Sequence, residues 1–130
     1  KILDTMVANM GVGAVETQID GGGGTIGTGI KGRIIMRSSG TLVAAILMAN
    51  AVGSIVVDIW KDTTGNYPPA VADTITASAK PTLSSAQISI DQTLTGWTKS
   101  FSYGDVLFFN VDSCTTITMV TIALFFQRTF

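Results

Sequence analysis

Short apolar runs separated by turn-forming residues fill the chain from Arg33 onward, and this pattern constrains the fold more than any other feature. Such runs are typical of strands, and their regular spacing favours a sandwich or barrel over alternating strands and helices. Tight turns between runs make neighbouring strands antiparallel. We predict an all-β antiparallel sandwich over residues 33–130, with strands near 33–37, 41–49, 54–61, 93–101, 105–111 and 116–128, and turns at 38–40, 50–53, 104–105 and 112–114.

Two segments leave a helical alternative open. Leu42 to Ala51 is rich in Ala, Leu and Met, which are good helix formers, so a helix competes with the strand there. The stretch that begins at Pro81 has Ser and Thr hydroxyls available for capping, and it predicts a short helical turn.

The first 32 residues differ from the rest in glycine content and hydrophobic periodicity. They include four consecutive glycines, 21–24, and show no sustained helix or strand periodicity. Isolated apolar residues such as Ile2, Leu3 and Met6 have little use in a freely solvated linker. We therefore divide the chain into an extended Gly-rich N-terminal arm, 1–32, that lies across a neighbour, and the sandwich domain, 33–130.

The C-terminal run TTITMVTIALFFQRTF has two apolar faces. A strand covered on one side shows a polar face on the other, and this run does not. Either its second face meets another layer or protomer, or the strand lies wholly inside one sandwich. Phe125 and Phe126, one on each face, are candidate interface residues.

Residues suited to catalysis or metal binding are scarce. The absence of histidine excludes Ser-His-Asp and Cys-His sites and His-ligated metals. Cys114 has no basic neighbour in sequence and is interpreted as a structural thiol. The string GTGIKG, 27–32, matches G-x-G-x-x-G but lacks the preceding strand and following helix of a dinucleotide site. The aspartates suit turns better than a pair of catalytic acids, so we expect no enzyme activity, no cofactor and no metal.

Composition points to association rather than to nucleic acid or membrane. Hydrophobic residues make up 46% of the chain and charged residues 13%, so apolar side chains must cover part of the surface. The net charge of −1 has no like-charge block, so no nucleic-acid partner is indicated. Leu42 to Trp60 is apolar enough to suggest a membrane span, but Asn50, Gly53 and Asp58 argue for two buried strands. We expect no signal peptide, and Lys1 as first residue suggests processing or an excerpt.

Aromatic side chains offer the main binding hypothesis. Tyr67 precedes Pro68 and Pro69, whose rings fix their own φ angles and restrict Tyr67, so this loop loses little further entropy on docking. Asp58 and Trp60 share one side of their strand and are predicted to brace the base of the loop. Trp60, Tyr67 and Trp97 are candidates for stacking on sugar rings, although tryptophans more often pack in the core.

Several stretches resemble a module that recurs in structural proteins of tailed bacteriophages. The marks are a Gly-Ser strand ending in Asp-x-Trp, a Pro-Pro loop followed by Asp-Thr-Ile, Lys-Pro-Thr-Leu, Leu-Thr-Gly-Trp, and Gly-Asp-Val-Leu before Asn-Val-Asp-Ser. They span about residues 40–128. The resemblance implies a virion β-sandwich and brings no catalytic residues with it.

The residues and the resemblance together predict a non-enzymatic, jelly-roll-like virion protein. The expected role is a homotrimeric capsid decoration or cement protein on the capsid surface, whose partners are its own copies and the major capsid protein. Tyr67, Pro68 and Pro69 would make the outer contact, and the arm would drape over adjacent capsomers. The alternative is a tail-fibre or spike module that binds host polysaccharide through Trp60, Tyr67 or Trp97.

Overall fold

The computed structural model describes residues 11–129, and the structural statements below concern that part of the chain. Its regular structure consists of seven strands and two 3₁₀ turns, Thr64–Asn66 and Val71–Asp73, without an α-helix. All strand pairs are antiparallel, so the predicted all-β antiparallel fold class is confirmed. The strands are β1 (Val12–Asp20), β2 (Gly29–Ile35), β3 (Gly40–Asp62), β4 (Thr82–Asp91), β5 (Ser100–Phe101), β6 (Val106–Thr115) and β7 (Met119–Arg128).

One sheet curls into two layers because β3 belongs to both. Residues 40–49 of β3 pair with β7, and residues 54–62 pair with β6. Strand β4 follows β3 around the bend. With the strand order β1-β7-β3-β6-β2, layer 1 contains β1, β7 and the first part of β3, and layer 2 contains β2, β6 and the second part.

The core lies between the two layers. Every second residue of β7 is buried on the inner side, where it meets the inward side chains of β3 and β6. This alternation follows from the strand period of two. The largest fully buried side chains of the described chain include Leu47, Ile55, Ile59, Leu107, Phe109, Ile117, Ile122 and Leu124.

The N-terminal region differs from the expected arm. Val12–Asp20 pairs along its whole length with β7, and Gly29–Ile35 pairs with β6. Ile19 and Ile26 are buried in the core. The boundary at residue 32 therefore does not separate an arm from the sandwich, because these apolar residues cover the core of their own chain. Residues 1–10, the rest of the predicted arm, lie outside the described residues.

The region 41–61 forms one strand instead of two strands and a turn. Leu42 to Ala51 is extended, so the helical alternative is wrong, and no turn occurs at 50–53. Gly53 serves a different purpose there. A Cβ at this position would lie 2.7 Å from Ile117 Cγ1 and 2.7 Å from the Thr115 carbonyl oxygen. Glycine is thus needed for close packing where β3 changes layers.

Strand β4 occupies 82–91, where a helical turn was predicted, and the predicted strand 93–101 is mostly loop. Asp91 Oδ1 accepts hydrogen bonds from the backbone N–H groups of Thr93 and Leu94, which ends β4 in a turn. Leu94 and Gly96 then take positive φ values of 52° and 77°, which lie outside the extended conformation of a regular strand. Only Ser100 and Phe101 of the predicted strand pair with β3.

The remaining turns were predicted with mixed success. Residues 36–39 connect β2 to β3, so the turn predicted at 38–40 is shifted toward the N-terminus and Gly40 belongs to β3. Gly104, with φ of 90°, lies in the turn before β6, as predicted. The turn expected at 112–114 is instead part of β6, and the chain reverses after Thr115. In the described residues we find no helix of the length and apolarity that crossing a membrane requires.

Candidate interaction surfaces

The outer side of layer 1 presents an apolar surface. Cross-strand neighbours on this side are Ala44 with Phe125, Ile46 with Ala123 and Ile90, and Met48 with Thr121 and Ile88. On β3 and β7 these residues alternate with core residues, and on β4 they alternate with the polar residues Gln87, Ser89 and Asp91. None of these cross-strand neighbours is charged, and Glu16 of β1 lies opposite Ala123 on the same side, at the edge of this surface. We call this set the layer 1 face: Ala44, Ile46, Met48, Ile88, Ile90, Thr121, Ala123 and Phe125.

Three side chains of the layer 1 face are well exposed. The exposed fractions of Met48, Ile88 and Ile90 are 44%, 57% and 59%. Together they expose roughly 300 Å² of apolar side chain, similar to the largest apolar patch of many monomers, and such patches are often functional. No further layer formed by residues 11–129 covers them.

The structure separates the two faces of β7. Val120, Ile122 and Leu124 point into the core, and so does Phe126, whose ring packs edge-to-face on Phe101 with centroids 5.0 Å apart. Phe126 is therefore buried in its own chain and is not an interface residue, which corrects the prediction. Phe125 belongs to the layer 1 face and is half-buried.

The Tyr67 loop, residues 63–80, covers part of the outer side of layer 2. The exposed fraction of Tyr67 is 54%, and its ring meets Phe108 edge-on, with centroids 5.5 Å apart. Pro68 is exposed, but Pro69 is buried and is removed from the candidate outer contacts. Beside Tyr67 lies a cavity of about 520 Å³, lined also by Arg33, Ile35, Thr64 and Val106.

Asp58 lies beneath this loop on the outer side of layer 2. Its carboxylate accepts hydrogen bonds from the Trp60 indole N–H (3.1 Å) and from the hydroxyls of Thr74 (2.6 Å) and Thr76 (2.8 Å). The Ile59 backbone N–H donates a further bond of 2.8 Å. Asp58 and Trp60 are thus close together, as their strand positions predicted, and they hold the 74–76 segment.

Electrostatics keeps the Asp58 carboxylate ionised. Burial alone raises the pKa of Asp58, but the hydrogen bonds from Thr74, Thr76 and Trp60 and the nearby Lys80 ammonium outweigh burial and lower it. Lys80 Nζ lies 3.7 Å from Asp58 Oδ2 and 2.6 Å from Asp112 Oδ2. The hydrogen bond to Asp112 in turn raises the pKa of Lys80.

The two tryptophans are poorly placed for stacking on a ligand. Trp97 has an exposed fraction of 7%, and its indole N–H donates to the Ala79 carbonyl oxygen at 2.8 Å. Burial of the ring in the core removes Trp97 from the glycan-stacking candidates. Trp60 is half-buried, and its indole N–H donates a hydrogen bond to the Asp58 carboxylate. Tyr67 is the exposed aromatic among the three.

The groups considered for chemistry make local contacts. Asp73 accepts from the Ala70 N–H, Asp105 accepts from the Ser102 N–H and pairs with Lys61, and Asp62 accepts from the Thr63 N–H. Burial raises the pKa of the Cys114 thiol, which donates to the Ile117 carbonyl oxygen at 3.4 Å. Within residues 11–129 no group of three or more His, Cys, Asp and Glu side chains is arranged to hold a metal.

Sequence reasoning missed Ile88 and Ile90, the most exposed members of the layer 1 face. The stretch Gln87-Ile88-Ser89-Ile90 alternates as a strand does, but the nearby Ser-Ser pair and Pro81 favoured a helical turn. Recognising the alternation would have identified β4. It would also have predicted that Ile88 and Ile90 face the core, because apolar residues of a half-buried strand usually do so.

Comparison with known proteins gives a likeness of fold. No family model and no curated protein matches the chain. A chain in the capsid of Ralstonia phage GP4 is similar at a TM-score of 0.51 and 11% identity, over 92% of this chain and 85% of that chain. This likeness extends the confirmed sandwich to a capsid-type, jelly-roll-like β fold.

Other solved structures are more distant. The capsid of Helicobacter pylori bacteriophage KHP30 gives a TM-score of 0.40 at 15% identity, covering 91% of this chain and 89% of that chain. The Drosophila NLP core gives 0.42 at 12% identity, with 92% and 99% covered. At these values the likenesses add nothing to the assignment of fold. The tailed-phage module predicted from sequence marks remains a prediction.

Proposed function

We propose that this chain is a non-enzymatic structural subunit of a bacteriophage virion that associates with its neighbours through the layer 1 face. Within that role we favour a homotrimeric decoration or cement protein bound to the major capsid protein at the capsid surface. The observation that carries the proposal is the uncharged, exposed surface around Met48, Ile88 and Ile90. The fold shared with a chain of the GP4 capsid and the phage-like sequence marks support it.

The mechanism is burial of apolar surface between subunits. Covering about 300 Å² of side chain on the layer 1 face contributes roughly 7 kcal/mol before association costs are subtracted. A standard interface buries about 800 Å² on each partner, so these three side chains form only the centre of a contact. Many copies bound side by side on a shell would add such weak contacts together.

Imaging of intact particles tests the location. Gold-labelled antibody against the chain, applied to purified particles of the phage that encodes it, is expected to decorate the head at many positions. Label confined to the tail tip would contradict a capsid role and favour the second candidate below. Absence of the chain from purified particles, measured by mass spectrometry, would reject a virion role altogether.

The second candidate is a receptor-binding module of a tail fibre or spike. The specific observation in its favour is Tyr67, exposed beside a cavity of about 520 Å³ on layer 2. An aromatic ring next to a cavity of this size is a common ligand-binding arrangement. In this role Tyr67, and not Trp97, would contact host polysaccharide. Loss of adsorption to the host by particles that carry Tyr67→Ala would favour it.

A further inference from the structure

Strand β2 and the residues just after it carry cations without a carboxylate partner among residues 11–129. Arg33 and Arg37 are both exposed, whereas Lys61 and Lys80 pair with aspartates. The Arg33 guanidinium lies 5.2 Å from the ring centre of Phe108. This cation–π contact orients the Arg33 side chain and leaves its charge uncompensated.

Two cavities meet at β2. The cavity beside Tyr67 measures about 520 Å³, and a second one of about 610 Å³ lies between β1 and β2. Arg33, Ile34 and Ile35 line both, so the cavities adjoin across this strand. Arg37 and Ser38 line the second cavity, with Glu16 on its β1 side. The result is one groove, with Tyr67 in its first part and two guanidinium groups along it.

The chemistry of the groove selects a class of ligand. Tyr67 and Ile35 offer apolar surface to the C–H faces of a sugar ring, while Thr64 and Ser38 offer hydroxyls. Guanidinium groups bind carboxylates through two parallel charge-assisted hydrogen bonds, which are stronger than the bonds they donate to the hydroxyls of a neutral sugar. We infer that the groove over β2 binds an acidic polysaccharide, with carboxylates at Arg33 and Arg37 and a sugar ring at Tyr67.

Nucleic acid fits the groove less well. Binding a phosphate backbone requires a longer basic surface, and single strands also need several exposed aromatic rings. The chain has a net charge of −1, and Glu16 lies in the groove itself. An acidic sugar polymer, with its charges spaced along the chain and apolar ring faces between them, matches two cations and one aromatic residue.

The site extends the second candidate function by naming a ligand class, and it does not depend on the capsid role. The layer 1 face lies on the opposite layer from Tyr67. A variant that loses polysaccharide binding should therefore keep its association state. Failure of one proposal can thus be told from failure of the other, because light scattering measures association independently of ligand binding.

Calorimetric titration of the full chain with alginate oligosaccharides tests the inference, with neutral dextran of equal length as the comparison. Alginate should bind and dextran should not. Arg33→Gln and Tyr67→Ala should each weaken alginate binding at least tenfold, and Arg33→Lys should weaken it less than Arg33→Gln. Lys99→Gln, which removes an exposed charge outside the groove, is the matched control and should bind as the wild type does.

Three results would overturn the inference. They are dextran binding as tightly as alginate, Arg33→Gln and Lys99→Gln binding alginate equally well, and an oligothymidylate of similar charge binding as tightly as alginate. Thermal unfolding of every variant shows whether lost binding reflects a lost fold. Arg33 and Tyr67 are exposed, so we expect these variants to fold.

Discussion

Asp58 shows how a charged residue can be buried between the outer side of a sheet and a loop. Its strand position directs it to the outer side of layer 2, where the Tyr67 loop buries it to 2% exposure. A buried carboxylate is costly unless its oxygens are satisfied, and here three side-chain donors and one backbone donor satisfy them. The loop therefore buries the carboxylate, and the hydrogen bonds to the carboxylate hold the loop in place.

Replacement of Asp58 should be strongly destabilising. Asp58→Ala leaves the Trp60, Thr74 and Thr76 donors unpaired and should lower the free energy of unfolding by about 3 kcal/mol. Asp112→Ala is the control, because Asp112 is exposed and, among residues 11–129, its side chain pairs with Lys80 and Asn110. It should cost less than about 1 kcal/mol. Urea denaturation measures both, and equal losses would contradict the role assigned to Asp58.

The lowered pKa of Asp58 also predicts a dependence of stability on pH. The folded pKa lies below the unfolded value of 3.8, so the ionised carboxylate contributes its full stabilisation above pH 3.8. That contribution is lost as the pH falls from 3.8 through the lower folded value. Asp58→Asn removes the titrating group. Its unfolding free energy should fall less than that of the wild type between pH 5 and pH 2, and parallel curves would contradict this assignment.

At the scale of elements, strand β3 joins the two layers of the sandwich, because it passes from one layer to the other at Gly53. Gly53→Ala places a methyl group against Ile117 and the Thr115 carbonyl, at 2.7 Å from each. Overpacking of this kind should cost about 2 kcal/mol. Gly65→Ala is the control, since its nearest atom is Thr63 Oγ1 at 3.8 Å. If urea denaturation showed the two variants equally stable, Gly53 would not be needed at the bend.

Strands with clear hydrophobic periodicity could be predicted from sequence, and those defined by distant contacts could not. The runs that became β6 and β7 are apolar on their inner face, and this alone indicates strands. Strand β1 contains Glu16, Thr17 and Gln18 in its second half and is too polar to stand out. Its residues become a strand by pairing with β7, about 100 or more positions away. Gly53 was misread as a turn because close packing and turns both favour glycine.

The positions of the candidate site residues could also be predicted only in part from the sequence. The proximity of Asp58 and Trp60 followed from their spacing of two on one strand, and the exposure of Tyr67 followed from the prolines beside it. Burial of Pro69, Trp97 and Phe126 depends on which loop or strand packs over each, which local sequence does not encode. The layer 1 face could not be predicted from local sequence, because it combines residues from β3, β4 and β7.

At the scale of the whole molecule, the proposed function requires association through the layer 1 face. Ile88→Lys combined with Ile90→Lys places two charges at its centre, where burial in an interface would be costly. The double variant should fold, since both side chains are exposed, but it should dissociate from its neighbours. Val71→Lys changes an equally exposed apolar residue on the Tyr67 loop, outside the layer 1 face, and should associate as the wild type does.

Sedimentation equilibrium of the purified full chain is the most direct test of this claim. We predict that the wild type has at least twice the 13.6 kDa mass of one chain, and that the Ile88→Lys, Ile90→Lys double variant has the mass of one chain. A wild-type chain that stays at 13.6 kDa across the accessible concentrations, indistinguishable from the double variant, would contradict it.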